Sequence, residues 1–293
     1  MKDHLHLHFI VLIYGFTGIL GKLISLPSAD LVFYRMLLAA IGMFVFVVWK
    51  KKQMRLSGKV LAKVFGVGII VAVHWITFFG AIKASNVSVA LGCMASVTLF
   101  TSFLEPLFDK VRIAVSEVVL GLVIIVGLYV ITQFAFDYWW GIVLALISAF
   151  LAALFGVMNK QLVRKYDASV VSMYEMIAGF VFIAFYFIFT QNISVLPHEI
   201  PSIDAFYLLI LALICTTYAF IAMNYLLERL SAYTLALVIN MEPVYAIILA
   251  YWIFGDSERM HIGFYIGALI IIASIAVYPL IKKKEVKEVK NAN

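Results

Sequence analysis

The chain has 293 residues, of which 65% are hydrophobic and 13% are charged, and its mean hydropathy is +1.07. Soluble domains carry about 25% charged residues, so this chain has too few polar side chains to cover a water-exposed surface. The composition excludes a soluble enzyme and a disordered chain. The net charge of +6 does not indicate a nucleic-acid partner, because the basic residues lie between apolar runs and at the C-terminus.

Ten apolar runs are long enough to cross a membrane, which takes about 20 residues of helix. Short polar or charged stretches separate the runs, and no hydrophilic insertion is long enough to form a soluble domain. The sequence therefore predicts an all-α polytopic membrane protein with ten transmembrane helices, at about residues 6–24, 30–49, 61–82, 86–106, 115–134, 138–158, 169–189, 204–224, 231–253 and 262–281.

Basic residues are concentrated in the even-numbered connections and near the two termini. These stretches hold 18 of the 22 Lys and Arg residues, whereas the odd-numbered connections hold Lys22, Lys83 and Arg259. Connections rich in Lys and Arg stay on the cytoplasmic side of a membrane. We therefore expect a multi-pass protein of the cytoplasmic membrane with both termini in the cytoplasm, which requires an even number of spans.

The second half of the chain repeats features of the first at a constant offset. A shift of 146 residues aligns Ser85 with Ser231, and it also aligns Gly121 with Gly267. Each half holds five predicted spans, and an odd number turns the second copy upside down relative to the first. The expected fold is thus two inverted five-helix repeats, with the binding site near the midplane between them. The expected boundaries are 6–134, 138–281 and a basic cytoplasmic tail at 282–293.

The most specific stretch of the sequence is Leu235–Glu258. In it, Asn240-Met241-Glu242-Pro243 precedes an apolar run that ends in Phe254-Gly255-Asp256-Ser257-Glu258. This stretch resembles the Glu-Pro motif of helix 9 and the following polar turn in EamA-type members of the drug/metabolite transporter superfamily. Tyr14-Gly15 in helix 1 and Arg35 in helix 2 also stand where that family has similar residues. The first half departs from the pattern, since Ser96 and Val97 occupy the positions equivalent to Glu242 and Pro243.

The resemblance implies a secondary transporter, an exporter or exchanger of small metabolites that works by alternating access, and an amino-acid-like solute is the leading expectation. A nucleotide-sugar-type carrier is the alternative within transporters, although a bulky anion would require several buried basic residues. An intramembrane enzyme and a channel are alternatives from other classes. The expected partners are a small-molecule substrate, the lipid bilayer, and protons where transport is coupled to them. We expect no catalytic residue, metal site, cofactor or nucleic-acid partner.

Ionisable side chains inside the predicted helices are the main candidates for a functional site, because each costs about 2.5–3.5 kcal/mol to insert. Glu242 lies near the middle of predicted helix 9, where Pro243 opens the preceding turn. It is expected to accept a substrate amine or a coupling proton, or else to bond a neighbouring helix. Arg35 is expected to clamp a carboxylate through two parallel hydrogen bonds, or else to extend to the outer headgroups.

Five further residues complete the candidate set for substrate binding or coupling. His74 changes charge near neutral pH or packs as a neutral side chain bonded to a backbone carbonyl. Glu175 stands at the repeat-equivalent position of Arg35, near the opposite membrane face, so we expect each to act in a gate on its own side rather than as a pair. The remaining polar candidates are Tyr14, Tyr218 and Asn240.

Overall fold

The computed structural model describes residues 2–110, 115–133, 136–190, 195–239, 241–274 and 276–277, and every regular element in these ranges is a helix. The first half of the chain forms α1 (Lys2–Leu23), α2 (Ser28–Trp49), α3 (Gly58–Ala84), α4 (Val87–Met94), α5 (Val97–Asp109) and α6 (Val115–Gln133).

The second half begins with a short 3₁₀ turn at Phe136–Tyr138, which leads into α7 (Trp139–Val163) and α8 (Ala168–Thr190). After a 3₁₀ turn at Pro197–Glu199, α9 (Ser202–Ala212) continues through a π-helical segment, Leu213–Tyr218, into α10 (Ala219–Leu227). The described part of the chain ends with α11 (Ala232–Ile239), α12 (Glu242–Phe254), a 3₁₀ turn at Gly255–Glu258 and α13 (Ile262–Ser274).

Seven helical stretches in the described residues are long and apolar enough to cross a membrane. They confirm the prediction of an all-helical, polytopic membrane protein. The predicted tail at 282–293 and the last residues of the predicted tenth helix lie outside the described residues. The seven stretches are Leu5–Leu23, Ser28–Trp49, Gly58–Ala84, Val87–Asp109, Trp139–Val163, Ala168–Thr190 and Ser202–Leu227.

The odd-numbered connections meet at one end of the bundle, which we call the Ser25 end. The amide and the hydroxyl of Ser25 both donate to one carboxylate oxygen of Asp204, at 2.9 and 2.6 Å. The ammonium of Lys83, at the end of α3, donates to the carbonyl of Ile24 at 3.0 Å. These bonds join the α1–α2 connection to the start of α9 and the end of α3.

The even-numbered connections meet at the opposite end, which we call the Lys52 end. Lys52 Nζ donates to Asp167 at 2.6 Å, and this hydrogen bond raises the pKa of Lys52 above its ordinary value. The hydroxyl of Tyr174 donates to the carbonyl of Met54 at 3.1 Å. The α2–α3 connection of the first half is thereby held against the α7–α8 connection of the second.

Two of the predicted membrane helices are interrupted near their middles. In the fourth, α4 ends at Met94 and α5 begins at Val97, and in the ninth, α11 ends at Ile239 and α12 begins at Glu242. Pro243 predicts the second break, and it lies in the first turn of α12, where a missing N–H breaks no helical hydrogen bond. The first break has no proline; there the hydroxyl of Ser96 donates to the carbonyl of Cys93 at 2.8 Å. A shift of 146 residues superposes the two breaks to within one residue.

Helix α3 packs against both α7 and α8, and α2 packs on α8. The close approach of α3 to α8 depends on Gly68, because a Cβ at this position would collide with the carbonyl oxygen of Glu175 and lie 2.8 Å from the Cβ of Ala178. A Cβ at Gly179 would lie 2.9 Å from the carbonyl oxygen of Gly68. Small residues allow such backbone contact between membrane helices. This contact fixes the position of Glu175.

Candidate functional site

A cavity of about 140 Å³ lies inside the bundle, and both halves of the chain contribute to its wall. Aromatic and aliphatic side chains form most of the lining, which is typical of sites for small organic ligands. α1–α5 contribute from the first half, and α7, α10, α11 and α12 contribute from the second. The polar side chains of the lining are Tyr14, Thr17, Arg35, His74, Thr101, Asn224 and Glu242.

Arg35 is the principal cation of the described cavity wall, and its side chain is held firmly in place. Its guanidinium carbon lies 3.7 Å from the centroid of the Trp75 ring, and its Nε donates to Thr216 Oγ1 at 2.7 Å. The residue is 2% exposed, and Nη1 is buried without a hydrogen-bond partner in the described residues. Extension of Arg35 to the lipid headgroups, one of the two alternatives from the sequence, is therefore wrong.

The π-helical segment Leu213–Tyr218 positions the hydroxyl that holds Arg35. Thr216 Oγ1 donates to the carbonyl of Leu211, five residues earlier, at 2.7 Å, so its lone pairs remain free to accept from Arg35. Thr217 makes the same bond to Ala212 at 2.9 Å. π-helical turns inside α-helices are rare and are frequent at functional sites, where they redirect side chains.

Glu242 is the first residue of α12, directly after the break in the ninth predicted helix, and its side chain lines the cavity. No described residue donates a hydrogen bond to its carboxylate. Glu242 and Arg35 are close enough to interact electrostatically, yet they form no ion pair within 4.0 Å. The cavity therefore presents an acid and a base that face the same space without neutralising each other by contact.

Tyr14 and His74 also reach the cavity. The hydroxyl of Tyr14 donates to the carbonyl of Ala219 at 3.4 Å, and Tyr14 interacts electrostatically with Glu242 and Arg35. His74 Nδ1 lies 2.9 Å from the carbonyl oxygen of Ser148 and 2.8 Å from its hydroxyl. The carbonyl contact matches the packing interpretation of His74, so we assign it to the wall rather than to the charged part of the site.

Two sequence candidates are not brought to the described cavity. Tyr218 is 42% exposed on a surface depression near the N-terminal helix, where its hydroxyl lies 2.9 Å from His6 Nε2. Thr216 of the π-helical segment is fully buried, whereas Tyr218, the candidate from the sequence, faces away from the cavity. Asn240 lies outside the described residues, at the break that precedes Glu242.

Glu175 lies beside the cavity and does not line it. Its side chain is fully buried between helices, and Asn159 Nδ2 lies 3.3 Å from Glu175 Oε2. Glu175 and Arg35 do not form an ion pair, as the sequence predicts. The backbone of Glu175 packs against Gly68, and its proposed part in a gate near one membrane face stays a prediction.

A cap that crosses between the halves closes the cavity region at the Lys52 end. Glu105 of α5 accepts from the amides of Ala232 and Tyr233, the first residues of α11, at 3.1 and 2.7 Å. Lys160 of α7 donates to the same carboxylate at 2.6 Å and also pairs with Asp109. A carboxylate at a helix N-terminus satisfies unpaired amides and complements the helix dipole.

A corresponding cap lies at the Ser25 end. Glu258, just after α12, accepts from the amides of Val87 and Ser88, the first residues of α4, at 3.1 and 3.0 Å. The hydroxyl of Ser88 adds a bond at 2.8 Å, and Lys22 of α1 donates to Glu258 at 2.8 Å. Each half of the chain thus supplies a glutamate that caps a broken helix of the other half.

Sequence reasoning missed the residues that hold Arg35 and those that form the caps. Thr216 and Trp75 stand in apolar runs where hydroxyl and aromatic residues are ordinary packing residues, so only the π-helical turn and the ring stacking reveal them. Glu105 and Glu258 gave a usable signal, since each is a carboxyl at a helix end. The backbone amides that they cap lie more than one hundred residues away along the chain, and the sequence does not predict these pairs.

Metal and thiol chemistry has little support in the described residues. No group of three or more His, Cys, Asp and Glu side chains there is arranged to hold a metal ion. Cys93 and Cys215 are buried and free. Cys215 lines the cavity, whereas Cys93 does not.

Two curated proteins and a solved structure are similar to this chain over much of its length. A curated protein of Archaeoglobus fulgidus, described as an uncharacterized transporter, is 25% identical over 289 residues, which cover 94% of this chain and 96% of the relative. A second protein of that organism with the same description is 25% identical over 196 residues, 66% of this chain and 69% of its own. A solved crystal structure matches with a TM-score of 0.74 and 16% identity, covering 96% of this chain and 98% of its own, which shows the shared fold.

The family model described as the EamA-like transporter family matches residues 5–133 and again residues 139–278. The two matches together span most of the chain, and the family consists of membrane transporters rather than enzymes. The chain therefore belongs to the EamA-like transporter family.

Proposed function

We propose that this protein is a secondary transporter that exports or exchanges a small zwitterionic, amino-acid-like metabolite across the cytoplasmic membrane by alternating access. The observation that carries the proposal is the pair of opposite charges in one cavity: the guanidinium of Arg35, with Nη1 unpartnered, and the carboxylate of Glu242. Family membership supports transport, and the cavity chemistry supports the substrate class.

Each charge fits one end of a zwitterion. Arg35 uses Nε to bind Thr216, which leaves its Nη groups to bind a carboxylate through two parallel hydrogen bonds. Glu242 accepts no hydrogen bond from a described residue, and its oxygens suit an ammonium group. The two groups interact electrostatically without touching, so a zwitterion between them satisfies both and neutralises both. Trp75 fixes the plane of the guanidinium and makes the carboxylate geometry specific.

Cavity size favours an amino-acid-sized solute over a nucleotide sugar. An engineered cavity of about 150 Å³ in another protein holds one benzene molecule. A cavity of about 140 Å³ is of that class and leaves no room for a base, a sugar and two phosphates together. A doubly charged anion would also require more cations than Arg35 supplies among the described lining residues.

An intramembrane enzyme has weaker support than transport. The contact between Ser148 and His74 is the one pair of hydroxyl and imidazole near the described cavity. Ser148 is fully buried and does not line the cavity, and its hydroxyl also bonds the carbonyl of His74 at 3.0 Å. A buried hydroxyl that is occupied in this way cannot attack a substrate.

The transport proposal includes ten spans arranged as two inverted repeats, residues 6–134 and 138–281, with both termini and the tail at 282–293 in the cytoplasm. Three observations support this arrangement: the helix breaks at equivalent positions, the reciprocal caps of Glu105 and Glu258, and the clustering of basic residues at the Lys52 end. Broken helices at corresponding positions of two halves are typical of transporter binding sites. The Lys52 end is then cytoplasmic and the Ser25 end is external.

Reconstitution into liposomes tests the proposal. Proteoliposomes are preloaded with a mixture of unlabelled proteinogenic amino acids, and uptake of the same mixture in labelled form is measured as exchange. We expect exchange with the wild-type protein that Arg35→Lys weakens and Arg35→Ala weakens much further. Failure of every amino acid to exchange, in a preparation shown by circular dichroism to be folded, would contradict the proposed substrate class.

A further inference from the structure

A second polar cluster lies next to the cavity, and we call it the Glu175 cluster. It consists of Asn159 on α7, Ser172 and Glu175 on α8, and Asn224 on α10, all of them buried. Asn159 Nδ2 lies 3.3 Å from Glu175 Oε2 and 3.5 Å from Asn224 Oδ1. Asn224 Nδ2 donates to Ser172 Oγ at 2.8 Å. The four side chains form one connected network.

Two oxygens of the Glu175 cluster lack a partner. Glu175 Oε1 and Asn159 Oδ1 are buried, and neither has a hydrogen bond within the described residues. Both atoms are acceptors when Glu175 is ionised. A buried acceptor without a partner costs about 1–3 kcal/mol. The cluster is therefore short of a donor or a cation.

No charged group of the neighbouring helices supplies that donor. Glu175 has no electrostatic interaction with another titratable group of the described residues, and its one polar contact is with Asn159. The titratable groups on the helices packed against α8 are otherwise engaged or lie at the helix ends. Arg35 bonds Thr216, His74 bonds Ser148, and Lys160 bonds Glu105 and Asp109. Tyr225 bonds Asp167, and Tyr34 bonds the carbonyl of Val195. Asp30 lies at the Ser25 end, and Lys59, Lys63 and Lys83 lie exposed near the ends of α3.

We propose that Glu175 is the site that binds and releases the coupling proton of transport, which rests on the proposed transport function. Protonation converts one carboxyl oxygen of Glu175 into a hydrogen-bond donor. Protonation also removes the uncompensated negative charge from the cluster. A proton on Oε1 leaves the 3.3 Å contact from Asn159 Nδ2 to Oε2 in place, so it changes the one oxygen of Glu175 that lacks a partner.

Asn224 provides the connection between the Glu175 cluster and the cavity. It is a member of the cluster and also lines the cavity wall. Asn224 and Asn159 do not carry a proton themselves, so water that enters from the cavity beside Asn224 delivers the proton to Glu175, forming the O–H bond on the carboxyl group. Release returns that proton to cavity water when the cavity opens to the other side of the membrane.

The structure separates this role from that of Glu242. Glu242 lines the cavity and interacts electrostatically with Arg35, so its carboxyl group is placed to meet a substrate amine directly. Glu175 has no such counter-charge and does not line the cavity. A site for the substrate and a separate site for the proton are what coupled transport requires.

Infrared spectroscopy tests proton binding without any substrate. The full-length protein in lipid is titrated from acidic to alkaline pH, and the absorption of protonated carboxyl groups is recorded. We expect Glu175→Gln to remove one such band that wild type shows, and Glu175→Asp to shift it. Glu199→Gln, which changes an exposed carboxyl group, is the matched control and keeps the band. Identical carboxyl bands in wild type and Glu175→Gln overturn the proposal.

Transport under imposed gradients tests coupling. The probe is the labelled amino-acid mixture, with a pH gradient in one arm and a sodium gradient at equal pH in the other. We expect a pH gradient to drive accumulation at least tenfold in wild type and to have no effect in Glu175→Gln, whose exchange between equal pools continues. Glu242→Gln is expected to weaken exchange itself, because the affinity for the substrate amine falls.

The outcomes separate the two proposals. If no amino acid is exchanged, the proposed substrate class fails, while the infrared titration still decides whether Glu175 takes up a proton. If a sodium gradient drives accumulation and Glu175→Gln abolishes that effect, the cluster is a sodium site and the proton assignment is overturned. Retention of pH-driven accumulation in Glu175→Gln also overturns it.

Discussion

Glu105 and Glu258 perform the same task at opposite ends of the bundle: each caps the first turn of a broken helix that belongs to the other half of the chain. A shift of 146 residues aligns Val87 with Tyr233, so the capped turns are equivalent. The glutamates themselves are not aligned by that shift. The two helix ends are therefore equivalent in the repeat, whereas the glutamates that cap them do not stand at equivalent positions.

Two caps at opposite ends suit a carrier that opens to one side at a time. Opening at the Ser25 end requires separation of α4 from Glu258, and opening at the Lys52 end requires separation of α11 from Glu105. Both caps are formed together in this structure, and the cavity lies between them. Both caps are therefore intact in the conformation described.

The caps predict the side from which the cavity becomes accessible. Loss of a helix cap costs about 1–2 kcal/mol, which corresponds to about 5- to 30-fold in an opening equilibrium. In a Cys93→Ser background, we expect Glu258→Ala to increase labelling of Cys215 by an impermeant thiol reagent from outside, and Glu105→Ala to increase it from the cytoplasmic side. Labelling rates in right-side-out and inverted vesicles measure this effect.

Cys215→Ser is the control for that measurement, because Cys215 is the described cysteine that lines the cavity. An increase from the same side in both cap variants would show that the two glutamates do not act on opposite openings.

Gly68 predicts how tightly the Glu175 region is packed. A methyl group at Gly68 meets the backbone of Glu175, which cannot move as a flexible side chain does. Overpacking of this kind costs about 1–3 kcal/mol, so we expect Gly68→Ala to lower the free energy of unfolding in detergent by that amount. Gly66→Ala, two residues earlier on the same helix, is the matched control, because no atom lies within 4 Å of its Cβ position. Equal stability of the two variants would refute the packing role of Gly68.

Arg35 predicts different effects for its two substitutions. Lysine keeps the charge but makes one bond where the guanidinium makes two, and it loses the stacking on Trp75. Each charge-assisted hydrogen bond contributes about 1.5–3 kcal/mol. We expect KM for exchange to rise about tenfold in Arg35→Lys and at least a hundredfold in Arg35→Ala. Similar activity of both variants would show that Arg35 does not bind a carboxylate.

The inverted topology predicts which introduced cysteines are labelled from each side. In a cysteine-free background, cysteines at Lys51 or Arg164 are expected to react only with reagent on the cytoplasmic side. Cysteines at Ser28 or His198 are expected to react only from outside. Reaction of both sets from one side of sealed vesicles would exclude the inverted repeat.

The all-helical, membrane-spanning character was predictable from the sequence, because apolar runs of about 20 residues are long enough to cross a membrane. The opening before Glu242 was predictable because Pro243 lacks an amide hydrogen. The matching break at residues 95–96 was not, since neither Ser96 nor Val97 interrupts a helix by its own conformational preference. That break depends on tertiary packing, which no local pattern records.

The sequence predicted the ionisable residues of the site, but it did not predict which polar side chains lie next to them. Arg35 and Glu242 stand out because ionisable groups are costly in a membrane. The inward turn of Thr216 and the outward turn of Tyr218 depend on the π-helical register, which shifts every later side chain of that helix. The complete burial of Glu175 between helices was not predictable, because position along a helix gives no information about burial by neighbouring helices.

Competition by three analogues of one amino acid measures the central claim, that the cavity recognises both charges of a zwitterion. Exchange of the labelled amino acid is challenged with the unlabelled amino acid, its methyl ester, which lacks the carboxylate, and its N-acetyl form, which lacks the ammonium group. We predict that only the intact zwitterion competes strongly in wild type, and that the N-acetyl form competes relatively better in Glu242→Gln. Equal competition by all three compounds in wild type would contradict the account, because neither Arg35 nor Glu242 would then bind a charged group of the substrate.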